Sequence, residues 1–435
     1  MHPLPAARHL SRALAVPALL AAAALAGAQA PDPPVFAQLS PDPLAANLAV
    51  TAEPLPLADL EQAGIVFSGA TESEQPAVAQ RLQSLVDGFR RQTTGVTDAR
   101  TLGEQALVFL HANVLTRYAP LAARVDAALA TGEYNCVSSA VLYLILARSV
   151  GLPVRAARTS DHVLCVVEAD GRRVDVETTN RYGFDPGTRK EFTDTFGAVT
   201  GFTYVPPTNY RARQDIGEKE LLSLILHDRV SLLVDRGQHL AAIGPAMTEW
   251  TLAPSELSHG AMVTSISNAA SSLAMARRFA EACDLLARSA EAIGAEPALE
   301  KRRGEITHNW VVALAESGEL DAADALLADP ARASFLEDSD RGSLAAWIIE
   351  LRAEAPARRG DYQAAADLIA AGLARLGANA ELLHAFETYS HNVFARAYNA
   401  RRFAEARAAA DAALARYPGS RLLQQDRDLA AKASP

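Results

Sequence analysis

The sequence predicts an α+β domain followed by an all-α helical-repeat solenoid. Three observations carry that expectation. Residues 133–156, EYNCVSSAVLYLILARSVGLPVRA, place an apolar helix from Cys136 to Val150 between Gly132 and the Gly151/Pro153 breaker. Two alternating segments follow, HVLCVVEA and RRVDVETT, joined by Asp170-Gly171, a pair suited to a tight hairpin turn. Beyond residue 217 strand signals stop and Ala, Leu, Glu and Arg take over, with a pattern that returns every 41 or 42 residues.

At the N-terminus, MHPLPAARHLSRALAVPALLAAAALAGAQA has a basic start (Arg8, Arg12), an apolar run from Ala13 to Ala26, and Ala28-Gln29-Ala30. This reads as a signal peptide over 1–30, cleaved after Ala30, and implies a periplasmic or secreted protein. The run is short for a membrane span, and nothing later approaches one, so no membrane contact is expected of the mature form. Residues 31–71, rich in proline, read as an extended, poorly packed linker. From Glu72 to about Ala130, ESEQPAVAQRLQSLVDGFRRQ and DARTLGEQALVFLHANVLTRY carry apolar residues at helical spacing. The first domain is therefore set at 72–215 and the repeats at 216–435.

In the repeats, RRFAEACDLL, GELDAADALL, GDYQAAADLI and RRFAEARAAA align on Phe279, Leu320, Tyr362 and Phe403. Three residues after each stands an alanine: Ala282, Ala323, Ala365 and Ala406. Eleven residues before stand Asn268, Asn309, Leu351 and Asn392. A bulky and a small residue on adjoining turns, repeated at fixed period, suit stacked helix pairs. A fifth unit around RGQHLAAIGPAMTEW is weaker. The broad surface of such an array suits a protein partner. His308 and His391, beside Asn309 and Asn392, read as structural.

The chemistry centres on Cys136. A cysteine that opens a helix sits where backbone N–H groups and the helix dipole favour its thiolate, the attacking form. Its own N–H can help hold an oxyanion. His162 stands at the start of the first strand, and alternation puts His162, Leu164 and Val166 on one face. With the turn at Asp170-Gly171, position 162 pairs near 179 and 164 near 177. Glu177 then lies diagonally across from His162, with Asp175 one step further along. A nucleophile, a base and an orienting acid are thus offered by Cys136, His162 and Glu177, with Asp175 as the alternative acid.

Here the sequence resembles the transglutaminase-like, papain-related superfamily. YNCVSSAVLYLILARSVGLPVR is similar to its cysteine helix with a Gly-x-Pro corner, and DHVLCVVEADGRRVDVETT to its His-to-acid hairpin. The resemblance spans residues from about 100 to 185. It implies a papain/transglutaminase-like α+β domain in which Cys136 is nucleophile, His162 base and Glu177 orienting acid. Two features depart from the family pattern. Its Asp-Pro-Thr is Glu177-Thr178-Thr179 here, and valine and arginine replace the aromatics after the His and before the acid. The second oxyanion donor is unassigned, with Tyr134 and Asn135 as neighbours. The repeats resemble tetratricopeptide repeats through GDYQAA, GELDAA and Pro418, although the period departs from the usual 34.

Competing roles are weighed by geometry and charge. Zinc on Cys136, His162 and Cys165, or a Cys136–Cys165 disulfide, requires Cys165 on the histidine's face, which alternation opposes. Cys165 and Cys283 read as core residues. No cofactor and no metal is expected. The segment TNRYGFDPGTRKEF offers Tyr182 and Phe184 either to a cleft or to a plain loop. A net charge of −10 with 21% charged residues, the acids spread out, gives no basic stripe and sets nucleic acid aside. The expected activity is a cysteine hydrolase or acyltransferase on peptide or amide bonds, acting through a thioester on a peptide or protein substrate. The alternative is a non-catalytic peptide-binding or assembly scaffold built on a relic of the same domain.

Overall fold

The structure, a computed structural model, describes residues 37–201 and 213–433. The expected signal peptide lies outside the described residues. Nineteen α-helices and six short strands occur among those described. Contacts divide them into two units. One comprises the described residues up to Met275 together with Asp284–Leu299; the other comprises Ala276–Cys283 and the described residues from Glu300 onward.

The described part of the stretch expected as an extended linker, 37–71, is largely helical and packed. It holds α1 (Pro43–Val50) and α2 (Leu57–Phe67). Asp42 caps the first, accepting from Leu44 N at 2.8 Å, and Pro43 takes the first helical position. Proline is tolerated there because that N–H has no intrahelical partner, so these prolines mark helix starts rather than an open chain. Leu48, Leu55, Leu60 and Phe67 are buried in the main core.

Next come α3 (Gln75–Gln92), α4 (Ala99–Asn113), β1 (Arg117–Tyr118), α5 (Val125–Thr131) and β2 (Glu133–Tyr134). The two strands pair in parallel, Tyr118 beside Tyr134. They are followed by α6 (Cys136–Ser149), β3 (Val154–Arg158), β4 (Val163–Ala169), β5 (Arg172–Val176), α7 (Lys190–Thr200) and β6 (Gln214–Ile216). The larger sheet has the order β5-β4-β3-β6 and is antiparallel throughout. Asp170 (φ 53°) and Gly171 (φ 69°) make the β4–β5 turn. Positive φ at both positions matches the right-handed twist of the strands it joins. Cys165 pairs with Val176, so extrapolating the register sets 164 opposite 177 and 162 opposite 179, as the turn predicts.

Helix α6 is the centre of this unit. Val137 through Ala147 are all buried, the pattern of a helix covered on every side rather than along one stripe. It touches α2, α3, α4, α5, β2, β3 and β4.

The boundary expected at 216 is not where packing changes. Helix α8 (Glu218–Asp235) contacts α2, α6 and β3 and is followed by α9 (His239–Leu252) and α10 (Glu256–Met275). Leu221, Leu222, Ile225 and Leu226 of α8, with Leu252, belong to the same core as α6. Glu218 fixes this join: it pairs with Arg148 of α6 and accepts from Leu55 N at 2.6 Å, while Arg148 donates to Leu55 O at 2.9 Å. The change in composition at 217 reports where strands end, and carries no information on what the following helix covers.

The rest is helical among the described residues: α11 (Phe279–Ile293), α12 (Pro297–Glu316), α13 (Leu320–Ala328), α14 (Pro330–Ala333), α15 (Asp338–Arg358), α16 (Tyr362–Leu376), α17 (Ala380–Asn399), α18 (Phe403–Arg416) and α19 (Arg421–Ala433). The four aligned residues Phe279, Leu320, Tyr362 and Phe403 each open a helix. Ala282, Ala323, Ala365 and Ala406 are all 0% exposed, as expected of small residues under a close neighbour. From α15 to α19 each helix packs on the next.

Candidate active site

Cys136 is the first residue of α6, and Asn135 caps it. The Asn135 Oδ1 accepts from Val137 N (2.9 Å) and Ser138 N (3.1 Å), while Ser138 Oγ accepts from Asn135 N at 3.0 Å. This capping box satisfies the N–H groups just after the cysteine and leaves the Cys136 N–H uncommitted. The Asn135 side-chain amide is itself spent, donating to Pro120 O and to Asp228 Oδ2, both at 3.0 Å. Asn135 therefore fixes the helix and has no side-chain donor left for an oxyanion. Tyr134 is excluded for a similar reason: its hydroxyl donates to Thr179 O at 2.9 Å and is buried.

His162 sits immediately before β4, its carbonyl accepting from Thr159 N at 2.8 Å. Its Nε2 lies 2.6 Å from Glu177 Oε2. Glu177 is 4% exposed, and its Oε1 accepts from Thr179 Oγ1 at 2.6 Å and Thr179 N at 3.2 Å. With Nε2 on the acid, Nδ1 is the ring nitrogen left over, and the Cys136 thiol lines the same cleft. Burial opposes charge on this imidazole, but Glu177 and the thiol outweigh it and hold the His162 pKa well above the ordinary value. Burial likewise opposes the Glu177 carboxylate, but His162 and the two bonds from Thr179 hold it below the ordinary range. Both shifts favour the charged forms, an imidazolium beside a carboxylate.

Asp175 is engaged elsewhere. Its two oxygens accept from Arg213 at 2.6 and 2.8 Å, so it takes no part in orienting the ring. Cys165 lies on the opposite face of β4, buried, its thiol 3.5 Å from Ala140 O. Burial pushes that thiol pKa up. Cys136 and Cys165 form no disulfide among the described residues.

The turn after β5 holds Glu177 in place. Glu177 N donates to Gly183 O at 2.8 Å. A Cβ on Gly183 would come within 1.9 Å of Glu177 O, so only glycine fits there. His111 of α4 adds a buttress, its Nε2 3.1 Å from Thr178 O. Burial lowers the His111 pKa to about 4, which keeps that ring neutral. Phe184 is fully buried and bridges to Val176, and neither it nor Tyr182 lines the cleft. Phe196 and Thr200 of α7 do so instead.

Cys136, His162 and Glu177 line one cleft of about 610 Å³, together with Tyr118 and residues of α8. Tyr118 escaped the sequence reading, since a lone tyrosine after a helix carries no signal. Its ring packs edge-on against Tyr134, 5.8 Å between centroids. Burial first, then the charges of Cys136 and Glu177, push its phenol pKa up. The fold and the site thus define a helix-rich α+β unit with a Cys-His-Glu constellation in an open cleft. No protein-family model and no curated protein matches the chain.

Proposed function

We propose that the protein is an exported cysteine hydrolase or acyltransferase of papain/transglutaminase-like fold acting on peptide or amide bonds, its tetratricopeptide-like helical repeats binding a protein partner. The observation that supports this most is the contact of 2.6 Å between His162 Nε2 and Glu177, in a cleft that Cys136 also lines.

In this reading the Cys136 sulfur attacks the carbonyl carbon and a C–S bond forms. The oxyanion is held by the Cys136 N–H and the Tyr118 hydroxyl. His162 gives its proton to the departing amine as the C–N bond breaks, leaving a thioester. Water or an amine then attacks, His162 takes its proton, and the thiolate leaves. Glu177 keeps the ring in one tautomer and stabilises its charged form throughout.

The test is alkylation by iodoacetamide across pH 4–9, mapped to each cysteine, on the native chain and on His162→Ala. Cys136 is expected to react at pH 6 at least about tenfold faster than a free thiol, whose rate climbs only toward its pKa of about 8.5. His162→Ala is expected to return Cys136 to that ordinary profile. Equal behaviour in both proteins overturns the catalytic reading.

A further inference from the structure

Three cationic side chains line the cleft, and each already holds a carboxylate. His162 is on Glu177 (2.6 Å), Arg158 on Glu220 (3.0 Å) and His227 on Glu249 (3.2 Å). Among the described residues, two further carboxylates of the same cleft accept hydrogen bonds from neutral groups. Asp228 accepts from the Asn135 amide at 3.0 Å. Asp161 accepts from the hydroxyls of Thr159 (3.4 Å) and Ser160 (3.2 Å). Glu249 is 3% exposed and its Oε2 has no partner among the described residues, although Oε1 is on His227. With Glu220 and Glu249, which hold two of the lining cations without lining the cleft themselves, five carboxylates stand against three cations around it.

The location of that charge is fixed. Asp228 touches the side chain of Asn135, the residue before the nucleophile. Burial raises the Asp228 pKa, and the Asn135 amide and His227 offset this only in part. A half-buried carboxylate in this condition gains most from a cation that enters with the ligand.

We propose that the cleft selects a substrate with a positively charged group, an ammonium or a guanidinium, beside the reacting carbonyl, and that Asp228, assisted by Asp161, binds it. This rests on Cys136 being the reacting thiol. A cation placed between Asp228 and Asp161 completes the charge balance without disturbing any ion pair already present. The exposed Leu257 at the rim leaves room for an apolar stem behind the charged head.

The experiment uses three methanethiosulfonates on the native chain: aminoethyl (cationic), methyl (neutral) and sulfonatoethyl (anionic). In each, the Cys136 sulfur bonds to the sulfenyl sulfur and methanesulfinate leaves. Rates at Cys136 are mapped by mass spectrometry and divided by those of free cysteine. The cation-to-anion ratio is expected to exceed that of free cysteine about tenfold, the effect of one nearby carboxylate on two probes of opposite sign. Asp228→Asn and Asp161→Asn are each expected to lower it severalfold, and Asp228→Glu to preserve it. A ratio equal to that of free cysteine, or one that neither Asn variant moves, overturns the proposal, as does a Cys136 that resists all three reagents. Fast but charge-blind reaction sinks this proposal and spares the catalytic reading. Slow reaction with a strong charge preference overturns the catalytic reading, and with it the assignment of a substrate, and leaves only a cation-preferring cleft. Short peptides carrying lysine, arginine or a free N-terminal amine are then tested for protection of Cys136 against the neutral reagent. The one that protects identifies the source of the charge, and protection by an acidic peptide alone overturns the assignment.

Discussion

Glu177 and Asp175 stand two residues apart on the same strand face, and packing gives them different work. Glu177 is buried against His162, and Asp175 is held by Arg213. Glu177→Gln removes the carboxylate that raises the His162 pKa, so the ring loses its proton at lower pH. Alkylation of Cys136 at pH 6–7 is then expected to fall by about tenfold or more, the worth of one pKa unit being a factor of ten. Asp175→Asn is expected to leave it within about twofold, because that charge is already neutralised at the surface. The identity of the acid was legible because period-two alternation and an Asp-Gly turn fix a register. Tyr118 was not legible, since its place in the cleft comes from β1 pairing with β2, a contact between strands of two residues each.

At the scale of elements, α6 was readable from end to end, Cys136 to Ser149 against an expected Cys136 to Val150, because its cap and its breaker are both local. Helices α1 and α2 were not, because proline reads as extended chain unless its position in the first turn is known. His391, read as structural, ties α17 to α19: its Nδ1 lies 2.9 Å from Asp426 Oδ2, and Asp426 is 3% exposed. The hydrogen bond that the ring donates to Asp426 raises the His391 pKa above its ordinary value, with burial opposing. A raised histidine stabilises fully below its unfolded pKa and loses that contribution as pH rises through the folded value. Unfolding of the C-terminal helices is therefore expected to become easier above neutrality. Asp426→Asn should abolish that pH dependence and cost roughly 1–3 kcal/mol at pH 6, the usual range for a buried charged hydrogen bond. Denaturant titrations at pH 5.5 and 9 measure both.

On the scale of the molecule, the expected division at 216 and the packing disagree, and truncation separates them. A chain ending at 216 loses Leu221, Leu222 and Ile225, each 0% exposed in the core that surrounds α6. It is expected to unfold without a cooperative transition, whereas one ending at 299 should keep it. Removing residues 31–71 is expected to be as damaging, since Leu48, Leu55, Leu60 and Phe67 would leave cavities behind. Circular dichroism melts of the three chains decide it. Sequence periodicity identifies helices well; which of them share a core depends on contacts distant in the chain, such as Arg148 with Glu218.

Helix α6 has no free face, and this limits how the protein can diverge. Nearly every change of volume between Val137 and Ala147 meets close-packed neighbours, so drift there is confined to near-isosteric swaps. The cleft wall on α8, where Leu224, His227 and Asp228 are partly exposed, can exchange side chains at lower structural cost. A lineage built on this scaffold would keep its nucleophile helix almost fixed while altering what the cleft accepts, so descendants would share chemistry long after they ceased to share substrates.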